Sequence, residues 1–313
     1  MAAPARPHPN AELMEKARDV KGRSLWDDAR RRLFRNKAAV VGMAILAIIA
    51  TMAVLAPLLS PYAYDAIDYS LVSCSPAWWP GEDVFCRVPD GSHLFGTDSV
   101  GRDLFIRTLY GARVSLAVGL VATSVSLLIG VIYGAAAGFI GGRLDEVMMR
   151  FVDVLYSLPF IFFVIILMVV FDRNFILMFV AIGAVEWLTM ARIVRGQTLS
   201  IKQKEFIEAA RAAGVGTFSI IRRHVIPNVV GPVIIYVTLT IPAVILAESF
   251  LSFLGLGVQE PLTSWGVLIS EGANEMEVAP WMLIFPAVFM AITLFCFNFI
   301  GDGLRDALDP KDR

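Results

Sequence analysis

Charge is what this sequence has least of. Only 18% of its 313 residues are Asp, Glu, Lys or Arg, against 57% hydrophobic residues and a mean hydropathy of +0.68. A chain so poor in charge does not read as a soluble globular domain. Catalytic signatures are missing as well. No lysine follows a glycine, so there is no G-x-x-x-x-G-K-[ST] phosphate loop and no P-loop route to ATP hydrolysis. His8, His93 and His224 stand in separate segments without metal-ligand spacing. Neither an H-E-x-x-H helix nor a nucleophile elbow occurs. No metal, cofactor or catalytic residue is therefore expected on this chain. No self-similarity at a period of about 20–50 residues is visible, which argues against a solenoid.

What is present is apolar sequence gathered into runs long enough to cross a bilayer, which takes about 20 helical residues. Six spans are expected, at 38–59, 112–139, 148–171, 175–194, 229–256 and 281–301. The fold class is an all-α integral membrane protein. The first run follows a long basic tail and lacks a small-residue cleavage site, so it reads as a retained span and not a signal peptide. Basic residues crowd the 1–37 tail and the 195–228 loop, whereas 257–280 has no Lys or Arg. The positive-inside rule then puts both termini, the 140–147 turn and the 195–228 loop in the cytoplasm. The expected order is a tail at 1–37 with an amphipathic helix at 24–35, a first span at 38–59 and an outer segment at 60–111. A membrane core at 112–303 and a short tail at 304–313 follow. The arginines flank a span and lie in no nucleic-acid-binding motif, so nucleic acid is not an expected partner; the lipid bilayer is.

Several residues stand out within this frame. Gly130, Gly134 and Gly138 recur every fourth position in the second run and predict a close helix–helix approach. Residues 101–110 mix charge with apolar residues at helical spacing and predict a separate interfacial helix. Cys74 and Cys86 share the outer segment, where they are either bridged or two half-buried thiols; Cys296 reads as a packing residue. Asp153, Glu186 and Glu248 fall in or near apolar runs, where each carboxylate would cost about 2.5–3.5 kcal/mol on insertion scales, so each should face protein or water. Asp153 reads as paired at the inner interface. Glu186 either pairs with a neighbour or lines a polar path. Glu248 is either a polar contact between helices or part of transport.

The 195–228 loop is more elaborate than a reversal of direction needs. Lys204 to Ala213 is a good helix former with Ala209, Ala210 and Ala213 on a thin face. Gly214 suits the left-handed residue that stops a helix, and Pro227 can open the next one. Lys204, Glu208 and Arg211 supply a charged rim, so the element reads as a docking helix.

These residues resemble the cytoplasmic signature of binding-protein-dependent ABC importer permeases, E-A-A-x-x-x-G with a proline thirteen positions after the glycine. Glu208, Ala209, Ala210, Gly214 and Pro227 all match it. His224 and Ile226 depart from the generic pattern; with Arg223, the sequence His224-Val225-Ile226-Pro227-Asn228 is similar to the peptide and nickel branch. Phe95-Gly96-Thr97-Asp98 with Gly101-Arg102-Asp103, the run Ala247 to Gly257 and Gly301 to Asp306 also match that branch. The resemblance covers about 28–310 and is nearest to C-type subunits of di- and oligopeptide importers. It implies a type I permease fold in the bacterial plasma membrane and import of di- or oligopeptides, with nickel or another small solute as the alternative. The implied partners are a second permease, two cytoplasmic ATPase subunits that hold ATP and Mg, and an external binding protein. Glu208, Ala209, Ala210, Arg211, Gly214 and Pro227 would couple the permease to an ATPase; 60–107 and 257–280 would meet the binding protein. A self-sufficient ion-coupled transporter is the rival class, and it wants inverted repeats that the sequence does not display.

Overall fold

The computed structural model describes residues 25–80, 86–89, 91–170 and 175–308. The basic tail before Leu25 and the last five positions of the chain lie outside the described residues. Eleven α-helices are described: α1 Leu25–Arg35, α2 Lys37–Leu59, α3 Leu104–Ile140, α4 Gly142–Ser157, α5 Phe160–Val170, α6 Phe175–Lys202, α7 Glu205–Ala212, α8 Thr217–Ile220, α9 Ile226–Phe253, α10 Trp265–Asn274 and α11 Trp281–Leu308. A π-turn, Ile221–Val225, joins α8 to α9. The described residues contain no strand, only two isolated bridges in the outer segment. The architecture is all-helical.

Four helical stretches are long and apolar enough to cross a membrane: α2, α3, Thr217–Phe253 and α11. A fifth exists if α4 and α5 form one broken span; they meet at 84°. The run expected to span at 148–171 is two helices and not one. Pro159 has no N–H to give, and it pushes Leu158 to φ −76°, ψ 129°, out of the helical region. The interfacial helix expected at 101–110 is likewise not separate. Asp103 caps the N-terminus of α3 by accepting from Ile106 N at 2.7 Å, and the helix then runs unbroken for 37 residues. The expected fourth span, 175–194, lies in α6, which continues to Lys202. A short amphipathic helix, α10, occupies part of the 257–280 segment.

The α3–α6 pair forms the most extensive helix contact. A Cβ added at Gly130 would drive into the Met190 side chain, one at Gly134 into Ala191 O, and one at Gly138 would lie 2.9 Å from Arg195 O. Glycines at four-residue spacing thus let two backbones touch where lipid gives no hydrophobic drive for association. At one end of α3 the segment between α2 and α3 folds into a cap. Asp98, fully buried, pairs with Arg102 at 2.6 Å and with Arg107, itself buried in α3. Arg102 reaches on to Glu260 at 2.8 Å and Arg107 to Glu271 at 3.2 Å, tying the cap and the start of α3 to the 257–280 segment. Trp281 Nε1 donates to Thr97 O and Trp265 Nε1 to Thr108 O. Burial disfavours the Asp98 anion, but Arg107, Arg102 and two backbone N–H groups outweigh it and hold the carboxyl below the usual range. Burial dominates at Asp103 and raises it, despite the hydrogen bond to His93.

Candidate functional site

At the other end of α3 the chain builds a compact element from α7, its stop and α8. Lys204, in extended conformation, precedes α7; Glu205 and Glu208 occupy the first turn and Arg211 the last. That order complements the helix dipole at both ends. Gly214 takes φ +75°. Its N–H donates to Arg211 O at 2.9 Å, and Val215 N donates to Ala210 O at 3.1 Å. This pair of bonds is a Schellman stop, and it requires a left-handed residue at position 214. Ala210 and Val215 also pack into one apolar cluster, the side-chain contact that accompanies such stops.

One side of α7 anchors the element. Ile207 is fully buried in a cluster with Ala135 and Phe139 of α3, Val194 of α6, Ile220, Val225 and Val229. The Arg211 guanidinium lies 5.0 Å from the Phe139 ring centroid and Lys202 Nζ 5.9 Å from it. The other side is open: Glu208, Ala209, Ala212 and Ala213 are exposed, as are Phe206 at 43% and Phe218 at 77%. Two exposed aromatics flank a strip of alanines with charges along its edge, an apolar surface strip rimmed by charge. Pro227 is the second residue of α9, directly after the π-turn. Sequence reasoning picked out Glu208, Ala209, Ala210, Arg211 and Gly214, which lie on this element, and Pro227, which lies at the start of α9. It missed Ile207, Phe206 and Phe218; the signal was an aromatic on each side of Gly214, eight residues before and four after it.

The remaining expected residues lie elsewhere. Glu186 lies midway along α6 and is half-buried. Glu248 is fully buried near the far end of α9. It accepts from Ser252 Oγ at 2.7 Å and from Ser264 Oγ at 2.6 Å, and Ser264 also caps α10. Glu248 is thus enclosed as a polar contact between α9 and α10. Asp153 pairs with Arg192 at 2.8 Å, and Asp145 takes both Arg195 nitrogens at 2.6 and 2.7 Å. Cys74 and Cys86 are joined in the cap, with Cα atoms 4.4 Å apart, and Cys296 is buried and free. No group of three or more potential metal ligands occurs among the described residues.

Comparison with known proteins bears on this arrangement. The family model described as binding-protein-dependent transport system inner membrane component matches residues 126–313. A second, for the N-terminal TM domain of oligopeptide transport permease C, matches 24–76. The oligopeptide transport system permease protein OppC of Escherichia coli (strain K12) is 56% identical over 307 residues, 97% of this chain and 98% of that protein. Its Haemophilus influenzae counterpart is 54% identical over 97% of this chain and 96% of its own length. The dipeptide transport system permease protein DppC of Bacillus subtilis is 47% identical over 97% and 92%. Among solved structures, a chain of the MetNI methionine ABC transporter in inward-facing conformations superposes with a TM-score of 0.54. That match is 20% identical and covers 66% of this chain and 96% of the other, so it speaks to the fold. With its spanning helices, its Schellman-stopped surface helix and these near full-length relatives, the chain belongs to the inner-membrane permease components of binding-protein-dependent ABC transport systems.

Proposed function

We propose that this chain is one of two permeases in an ATP-driven importer of di- and oligopeptides. Six transmembrane helices cross the membrane in this reading, with α6 and the α4–α5 pair completing the set, and both termini are cytoplasmic. The segment Glu208 to Gly214, the second half of α7 and its stop, docks in a groove of a cytoplasmic ATPase subunit, and Phe206 and Phe218 extend the contact. ATP and Mg are held by the two ATPase partners; this chain contributes no catalytic residue. The cap at 60–107 and the 257–280 segment receive the external peptide-binding protein. The observation that carries the coupling role is the pairing of a buried anchor, Ile207, with an exposed, glycine-stopped helix face. The peptide cargo is supported by relatives named as oligopeptide and dipeptide permeases at 46–56% identity.

The test is reconstitution of this chain in proteoliposomes with a second permease, both ATPases and the binding protein. Peptide uptake should require ATP, the binding protein and an intact α7. Charge reversal at Glu208 should abolish uptake while the chain remains in the membrane. Uptake by this chain alone under an ion gradient would overturn the reading in favour of a secondary transporter.

A further inference from the structure

We infer that the hollow between the tip of α3 and helix α7 is a site for the phosphate headgroup of an anionic phospholipid, held by Lys202 and Arg211. The inference rests on the membrane topology proposed above and on no particular cargo. The hollow has a volume of about 370 Å³. It is lined by Phe139 and Ile140 of α3, Lys202 of α6, Arg211 of α7 and, beyond the helix stop, Thr217 and Ile220, with no Asp or Glu. Both cations gather on one aromatic ring: the Arg211 guanidinium lies 5.0 Å and Lys202 Nζ 5.9 Å from the Phe139 centroid. Gly141 leaves room for the ammonium, since a Cβ there would stand 3.0 Å from Lys202 Nζ. Lys202 Nζ also donates to Ile140 O at 3.4 Å. No ion pair to Lys202 or Arg211 occurs among the described residues, whereas Arg192 and Arg195, also on α6, each hold a carboxylate.

Two cations brought together without a counter-charge attract an anion. A cation over a ring face gains from the ring quadrupole and still keeps N–H donors for an oxyanion. The position of the hollow selects which anion. Phe139 and Ile140 end α3, whose 37 residues exceed the about 20 that cross the hydrocarbon core, so this tip reaches headgroup height. Ile140 at the edge is exposed, as are Leu144 and Val147 at the start of α4, and they give acyl chains an apolar border. Arg211 stands one turn beyond buried Ile207, on the anchored side of α7 and off the open strip of Ala209, Ala212 and Ala213. An acidic side chain of a protein docked on that strip would have to reach behind it, whereas a headgroup arrives from the bilayer. Basic hollows between helices at the cytoplasmic surface suit such headgroups. A bound phosphate would tie the ends of α3, α6 and α7 together.

The experiment adds dioleoylphosphatidylglycerol, dioleoylphosphatidylcholine or inorganic phosphate to the purified full chain in detergent, and follows bound lipid by native mass spectrometry. Phosphatidylglycerol should bind about tenfold more tightly than phosphatidylcholine and should slow hydrogen exchange across 205–213. Lys202→Gln with Arg211→Gln should weaken it about 25-fold, about fivefold for each cation removed, while Lys202→Arg keeps it within about twofold. Lys202→Gln alone, with Arg211 left on the ring, should lose about fivefold and serves if the double variant does not fold. Arg143→Gln with Arg150→Gln removes the same charge from α4 outside the hollow and should change the affinity by less than about twofold. Equal binding of the two lipids overturns the inference, as does an α4 pair that weakens phosphatidylglycerol as much as the Lys202 and Arg211 pair. Inorganic phosphate that alone protects 205–213 equally well identifies an ion site and overturns it too. None of these measurements involves transport, so a complex that imports no peptide would sink the cargo reading and leave this site standing.

Discussion

Gly214 is the position where the coupling geometry is most exposed to test. Its φ of +75° is a conformation that costs an L-residue about 1–2 kcal/mol. A Cβ placed there meets nothing within 4 Å, so in this chain the cost is conformational and not steric. Ala at 214 should therefore weaken the helix stop by about 1–2 kcal/mol, which at about 1.4 kcal/mol per tenfold reduces the formed stop by about 5–30-fold relative to open alternatives. Val adds crowding at its branched Cβ, whereas Asn tolerates the left-handed region. Uptake by the reconstituted importer should then fall in the order Gly, Asn, Ala, Val. ATP hydrolysed per peptide imported should rise as the stop loosens, because the two bonds to Arg211 O and Ala210 O fix how α7 ends. Thermal unfolding of the membrane core should barely change, since Gly214 is exposed and packs on nothing. Full uptake and a normal ATP ratio in Gly214→Val would refute the reasoning, as would an Asn variant as damaged as the Val variant.

Ile207→Ala should cost about 2–5 kcal/mol of local packing and release α7 from Phe139, read as faster hydrogen exchange across 205–213 and lost uptake. Gly134→Leu should force α3 from α6, since Ala191 O occupies the space; about 1–3 kcal/mol of strain should appear as a lowered Tm or failed insertion. In the cap, Asp98 is held below the ordinary carboxylate range, so its stabilisation is complete above the unfolded value and lost as pH falls through the folded one. Asp103 is shifted upward, so the stability linked to its proton is lost as pH rises through its folded value, opposite in sign. Cap protection in hydrogen exchange should accordingly drop at pH values below about 4, and a cap that tightens there would contradict the Asp98 pairing. In denatured, unreduced protein only Cys296 should alkylate; after reduction all three cysteines should, and three labelled thiols without reductant would rule out the Cys74–Cys86 bond.

Much of this fold and site could be read from residue types with narrow physical meanings. Gly214 and Pro227 bracket the α7–α8 element because few residues tolerate a left-handed stop or a first-turn position without an N–H. Gly130, Gly134 and Gly138 announced a close helix contact, although nothing in their spacing named α6 as the partner. What went unread follows from the same membrane setting. Apolarity summed over 148–171 is indifferent to backbone, so the run looked continuous even though Pro159 breaks it. Residues 101–110 looked like a separate element because Arg102 and Arg107 argue against burial; only the fold reveals that Asp98, Glu260 and Glu271 neutralise them.

The length of α3 has one more consequence. Its 37 residues make a rod about 55 Å long, with the Asp98–Arg107 pair at one tip and the Phe139 ring under Arg211 and Lys202 at the other. A tilt of about 5° about one tip would swing the other by about 5 Å, close to the rise of one helical turn. The two ends of the molecule therefore share a mechanical part. In the importer proposed above, a binding protein seated on the cap biases the posture offered to the ATPases before any nucleotide is spent, and nucleotide closure alters the surface that must later let it go.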